Sequence, residues 1–392
     1  MQKQLFFKHV AQTSDIPVSF EIEKADGIYL FDKTGRQYID LISGIGVNNL
    51  GHRNQEVIQA IKNQLDKYIH VMAYGEFIQS PQVNFAKMLS DNLSDKLDSV
   101  YFVNSGSESI EGALKLAKRY TGKTEIISFK NSYHGSSHGA LSITGNERAK
   151  RAFRPLLPDI KFIEFNNFND LNNITHKTAC VVIEPIQGEA GVVLPKNDYL
   201  IKLRKKCDDT ETLLIFDEAQ TGFGRTGTLF AYEQFNVVPD ILCLSKALGG
   251  SMPLGAFISS KNIMSSLKNY PVLGHITTFG GHPVCCAAGL ASLKIITEKK
   301  IYKLVHYKGE LFKHLLKHTK IKDVRGKGLM LAVEFENAEI SNKVIRRCMK
   351  NGVITDSFLF APNCMRIAPP LIIEEEQIKK SCEIILSSIE EI

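Results

Sequence analysis

The chain has 392 residues, 44% of them hydrophobic and 23% charged, with a net charge of +6. That is too long for one small domain, and there is ample apolar material for a large core plus a second lobe. The basic residues are spread out, groups such as Arg204-Lys205-Lys206 read as solvated helix faces, and no nucleic-acid-binding motif occurs, so a nucleic-acid partner is not expected.

The start, MQKQLFFKHVAQTSD, lacks the apolar run of a secretory signal. Residues 28–32 (IYLFD) and 37–41 (QYIDL) flank Lys33-Thr34-Gly35, the pattern of a hairpin. A helix is expected over 54–70, with Val57, Ile58, Ile61 and Leu65 at helical spacing. Short apolar strands then alternate with helices: strand 100–103, helix 107–120, strand 125–129, strand 179–183, helix 198–207, strand 213–216 and strand 241–244. This alternation predicts an α/β fold built on a mostly parallel sheet. From about 286 a long helix runs to 296, followed by mixed helices and a strand over 329–335. The expected division is a large domain over 50–285 and a smaller α+β domain formed by 1–49 and 286–392. No stretch approaches the roughly 20 apolar residues of a membrane helix. Eight cysteines without a C-x-x-C pair read as free thiols in a reducing, cytoplasmic setting rather than a disulfide framework or zinc site.

In open α/β sheets, ligands bind beyond the carboxyl ends of the strands, so the polar residues after each apolar run carry the interest. Asn104-Ser105-Gly106-Ser107-Glu108 joins a strand to a helix start, where small residues and free N–H groups suit a phosphate. The same residues would equally serve as an ordinary capped helix start. Leu213–Phe216 is followed by Asp217-Glu218, an acidic pair that is either functional or a cap for the next loop. Ile241–Leu244 is followed by Ser245-Lys246, and a lysine ending a buried strand should have a lowered pKa, as a lysine that forms a Schiff base requires. A lysine reaching out to solvent is the commoner fate. Together, a phosphate cradle, a strand-end aspartate and a strand-end lysine are the protein parts that pyridoxal 5'-phosphate needs.

The segments FVNSGSES (102–109), YHG (133–135), IEPIQGEAGV (183–192), FDEAQTGFGRTG (216–227), LSKALGG (244–250), HITTFGGHP (275–283) and RIAPPL (366–371) resemble class III aminotransferases, most nearly the acetylornithine, ornithine and 4-aminobutyrate group. The resemblance implies pyridoxal-phosphate fold type I. It also implies amino transfer from an amino acid or ω-amine to a 2-oxo acid such as 2-oxoglutarate, and a homodimer with shared sites. By matching position, Ser105, Gly106 and Ser107 would hold the phosphate and Tyr133 would stack on the pyridine ring. Asp217 would pair with the ring nitrogen, Gln220 would meet the phenolic oxygen, and Glu184 would support the site from behind. Lys246 would carry the cofactor and later move the substrate proton, and Thr278 would reach the phosphate of the neighbouring subunit. Arg366 would bind a substrate carboxylate, with Glu189 neutralising it when an ω-amine occupies the site.

One departure concerns the acceptor. Relatives that use 2-oxoglutarate usually carry an arginine directly after the aromatic-x-Gly step, and here that position is Ser136. A serine cannot supply the cation, which leaves a pyruvate-dependent ω-transaminase open. So are an aminomutase, racemase or decarboxylase, which share the cofactor parts; a non-catalytic binding protein would have no use for both Lys246 and Asp217. Gly222-Phe223-Gly224-Arg225-Thr226-Gly227 satisfies a dinucleotide fingerprint, but it does not sit directly between a strand and a helix. His134 and His138, separated by Gly135 and two serines, are not a helical metal pair.

Overall fold

The computed structural model describes residues 2–392. Near the amino end β1 (Ile22–Asp26) pairs with β2 (Tyr29–Asp32), and β2 pairs with β3 (Gln37–Asp40) across the expected Lys33-Thr34-Gly35 turn. Seven strands then form the main sheet: β4 (Ser99–Val103), β5 (Glu125–Phe129), β6 (Ile160–Ile163), β7 (Thr178–Ile183), β8 (Leu213–Asp217), β9 (Ile241–Leu244) and β10 (Gly255–Ser259). Their order is β4-β10-β9-β8-β7-β5-β6, and β10 alone runs against its neighbours. The remaining strands are β11 (Asp323–Lys327), β12 (Met330–Glu334), β13 (Val353–Ile354) and β14 (Cys364–Ile367). Strands β11, β12 and β14 make an antiparallel sheet, while β13 extends the amino-terminal sheet by pairing with β3.

The main sheet is apolar on both faces because helices cover both. In β8, Leu214 and Phe216 enter one core cluster while Leu213 and Ile215 enter the opposite one, as the two-residue period of a strand dictates. Each such side chain, fully buried, contributes roughly 1.5–3 kcal/mol. A separate core joins Ile28, Ile39 and Leu41 to Phe312, Val344, Met365 and Ile385, so the two ends of the chain share one lobe. The expected boundary at 285/286 falls inside the helix Pro283–Glu298, whose Cys286, Leu293 and Ile296 pack in the larger core.

Arg225 ties the lobes together. Its fully buried guanidinium donates to the carbonyl oxygens of Leu329 and Pro369, to Ser43 Oγ and to Asn49 Oδ1. Burial pulls its pKa down to about 9, against the opposing effect of the Asp40 carboxylate. The fingerprint-like glycine run around it is therefore structural. A short 3₁₀ turn, Ala231–Phe235, does follow, but its first N–H groups donate to the Glu218 carboxylate, not to a ligand.

Candidate active site

The carboxyl ends of β4, β7, β8 and β9 lie along one edge of the main sheet, and the loops leaving them line a cavity of about 400 Å³. Its wall contains Ser105, Gly106, Ser107, Tyr133, Glu184, Glu189, Asp217, Gln220, Lys246 and Arg366. Ten of the eleven expected site residues thus meet in one place. Thr278 does not: it is exposed and lines a separate cavity of about 200 Å³ with His70, Met72 and Tyr74.

The phosphate-suited corner is the start of a 16-residue helix, Gly106–Thr121. Ser105 caps it by accepting from Glu108 N at 3.2 Å. Gly135 has φ 129° and packs so closely that a Cβ would lie 2.1 Å from Ser107 Oγ, so only glycine fits. Ser136 N then donates to Ser107 Oγ at 3.2 Å, joining the Tyr133 loop to the helix start. Gly106 sits against Ser245, one residue before the lysine.

Lys246 follows β9 with φ 49°, in the left-handed region, where a side chain carries a strain of roughly 1–2 kcal/mol. Burial lowers its pKa, opposed by the nearby Glu189 carboxylate and assisted by Arg366. Asp217, on the adjacent strand, accepts from His134 Nδ1 at 2.8 Å and from Ala219 N at 3.1 Å. Glu184 accepts from Tyr133 N at 3.0 Å and Gly188 N at 2.9 Å, while burial pushes its carboxyl up to about 7. Gln220 Oε1 is buried without a protein partner. Arg366 donates from Nη2 to both Glu189 oxygens, at 3.0 and 3.1 Å, and from Nε to Asp356 Oδ1 at 2.8 Å.

Residues 10–389 match the family model described as aminotransferase class-III. The chain belongs to the class III aminotransferases. It is similar to the acetylornithine aminotransferase of Clostridium acetobutylicum, 41% identical across 94% of this chain and 95% of that one. The corresponding enzyme of Caldanaerobacter subterraneus subsp. tengcongensis is 37% identical over 94% of each chain. Among solved structures, an ornithine aminotransferase of Toxoplasma gondii, described with partial occupancy of PLP at its active site, superimposes with a TM-score of 0.92 at 29% identity, covering 99% of this chain and 94% of that one. This aminotransferase therefore has the fold type I architecture and is a pyridoxal-phosphate enzyme. Its cavity fits the group: a helix start with small residues for the phosphate, a buried acceptor at Gln220 with no protein donor, and a carboxylate and a lysine on adjacent strand ends.

Two residues at the site are not apparent from the sequence. The spacing of His134 and His138 raises only the question of a metal pair; the ring of His134 is instead buried against Asp217, and His138 is exposed at a helix start. Asp356 carries no motif of its own. The isolated bridge between Ser357 and Met365, with Arg366 N donating to Asp356 O at 2.8 Å, sets it beside Arg366.

Proposed function

We propose that this aminotransferase moves the amino group of an ornithine-, acetylornithine- or 4-aminobutyrate-like donor to a 2-oxo acid such as 2-oxoglutarate, working as a cytoplasmic homodimer. The observation that carries the reading is the meeting of Lys246 and Asp217, on adjacent strand ends, with the start of the helix Gly106–Thr121 in one cavity. Ser105, Gly106 and Ser107 would hold the phosphate, Tyr133 would cover the ring, and Asp217 would face the ring nitrogen. Pyridoxal phosphate, when bound, supplies an aldehyde for covalent attachment to an amine and a protonated ring that draws electrons from the carbon losing its proton. Lys246 would hold the group through Nζ and would move the substrate proton with the same atom. Burial serves both tasks by favouring the neutral amine. Arg366 binds the carboxylate of the 2-oxo acid when Glu189 swings away, and Glu189 covers it again for an ω-amine.

The dimer reading is supported by exposed apolar side chains that line the same cavity as Thr278, with Phe77 59% exposed, Phe279 54% and Met72 38%. Monomeric proteins seldom leave such a face open. All eight cysteines are free and buried, in keeping with a reducing compartment. Among the described residues no helix is long and apolar enough to cross a membrane.

A half-reaction screen tests the function. The holoenzyme is mixed with a panel of amines and α-amino acids while the absorbance of the bound cofactor is followed, and a 2-oxo acid is then added to restore it. Restoration with stoichiometric amino-acid product is expected. Loss of carbon dioxide or rearranged product without transfer would replace this reading by another pyridoxal-phosphate chemistry. Lys246→Ala should retain the cofactor without a borohydride-reducible bond to the protein, and lose nearly all turnover.

A further inference from the structure

Two glycines of the Tyr133 loop press on two side chains of the helix that opens the phosphate corner. A Cβ on Gly135 would lie 2.1 Å from Ser107 Oγ, and a Cβ on Gly139 would lie 2.1 Å from Glu111 Oε2. Ser107 and Glu111 are four residues apart in the helix Gly106–Thr121, so they share one face of it, a turn apart. Each also binds the loop. Ser107 Oγ accepts from Ser136 N at 3.2 Å, while Glu111 Oε1 accepts from Ser137 Oγ at 2.6 Å, Gly139 N at 2.7 Å and Ala140 N at 3.1 Å. Hydrogen bonds to a carboxylate are roughly twice as strong as neutral ones, so the half-buried Glu111 is the firmer of the two attachments.

The loop is closed on itself and is therefore placed as a unit. His134 N donates to Thr144 Oγ1 at 3.3 Å, Thr144 Oγ1 donates to Ala140 O at 3.1 Å, and the short helix His138–Ile143 fills the interval. What Glu111 fixes at Ser137, Gly139 and Ala140 thus reaches the other end, where Tyr133 lines the cavity and His134 meets Asp217. A plain cap for the short helix would account for the bonds from Gly139 N and Ala140 N. It would not account for Gly135 and Ser107 repeating the same close contact one turn earlier. In pyridoxal phosphate a single methylene joins the phosphate to the ring. A protein that grips both ends must hold its phosphate anchor and its ring-covering side chain at one fixed separation.

We propose that Glu111 is a positioning residue for the cofactor: it sets the register between the helix start that holds the phosphate and the loop that carries Tyr133 over the ring. The proposal rests on the roles given above to Ser105, Gly106, Ser107 and Tyr133. Cofactor-free wild type, Glu111→Ala, Glu111→Gln and Gly139→Ala are each titrated with pyridoxal phosphate, read by the absorbance of the bound cofactor. Each is also titrated with inorganic phosphate, read by the rise in thermal midpoint. Glu111→Ala should bind pyridoxal phosphate about tenfold more weakly or worse, yet keep its phosphate affinity within about threefold, because the helix start is intact and only the register is lost. Glu111→Gln keeps an acceptor oxygen and should recover most of the affinity. Gly139→Ala pushes the same carboxylate away from the other side and should reproduce the split, which keeps the test decisive if Glu111→Ala does not fold. Pyridoxal phosphate held by a folded Glu111→Ala as tightly as by the wild type, or weakened only in step with phosphate, overturns the proposal. So does Glu111→Gln binding no better than Glu111→Ala. Phosphate without effect on the wild type removes the helix start as the anchor, and the proposal with it, so that failure is told apart from a failure of Glu111 alone.

Discussion

His134 donates from Nδ1 to Asp217 Oδ2 at 2.8 Å, with its own side chain wholly buried. The bond links two loops 83 residues apart and fixes one oxygen of the carboxylate proposed to face the ring nitrogen, while Ala219 N holds the other. Removing the imidazole leaves a buried acceptor short of a donor, a change of about 1–3 kcal/mol. His134→Ala should therefore fold, as judged by circular dichroism, but turn over about tenfold more slowly or worse. Asp217→Asn should lose several powers of ten, because it alters the ring's ability to withdraw electrons. Near-normal turnover in Asp217→Asn would show that the carboxylate is not used in this way.

The separation of Thr278 from the Lys246 cavity within one chain gives a complementation test. If Thr278 completes the neighbour's site, a heterodimer of Lys246→Ala and Thr278→Ala subunits places both defects in one site and leaves the other intact. Mixing and reassembling the two inactive or weak variants should then restore activity, up to about half of wild type for each heterodimer. No gain over the sum of the parents would remove Thr278 from the partner's site.

Glu184 supplies a prediction in pH. Its carboxyl is raised to about 7 by burial, against the opposing effect of His134, so the folded state holds a proton that the unfolded state has released. The stability this contributes is full in acid, declines as pH rises from about 4.5 to 7, and is gone above that. Glu184→Gln, neutral throughout, should lose ground to the wild type less at pH 8 than at pH 5. The difference between urea unfolding midpoints of the cofactor-free proteins at those two values is the measurement; a difference independent of pH would show that Glu184 does not titrate there.

Ser136 is exposed next to Gly135 of the cavity wall; its backbone N–H donates to Ser107 Oγ and its side chain meets Tyr133. Ser136→Arg adds a cation without breaking the backbone bond, and should improve kcat/KM for 2-oxoglutarate relative to pyruvate by roughly one to two powers of ten. A wild type already strongly selective for 2-oxoglutarate, and unimproved by the substitution, would mean that another cation grips the distal carboxylate.

The sequence is most legible where burial dictates residue type. Strands such as Leu213–Asp217 and Ile241–Leu244 are buried on both faces, so they read as unbroken apolar runs whose first polar residue marks the ligand edge. Two strands of the main sheet are not visible in that way. Ile160–Ile163 is a four-residue edge strand only partly buried, and Gly255–Ser259 opens with glycine and alanine, which carry little strand signal. The site divides along the same line. Lys246 and Asp217 announce themselves by ending apolar runs, whereas the pairing of His134 with Asp217, or of Asp356 with Arg366, arises only when separate loops are brought together.

The four acceptors around Arg225 lie on both sides of it in the chain, at Ser43 and Asn49 before it and at Leu329 and Pro369 after it. A nascent chain that has completed the main sheet therefore carries a guanidinium with half its acceptors still unsynthesised. The other two acceptors, on Leu329 and Pro369, emerge only with the last fifth of the chain, after every strand of the main sheet.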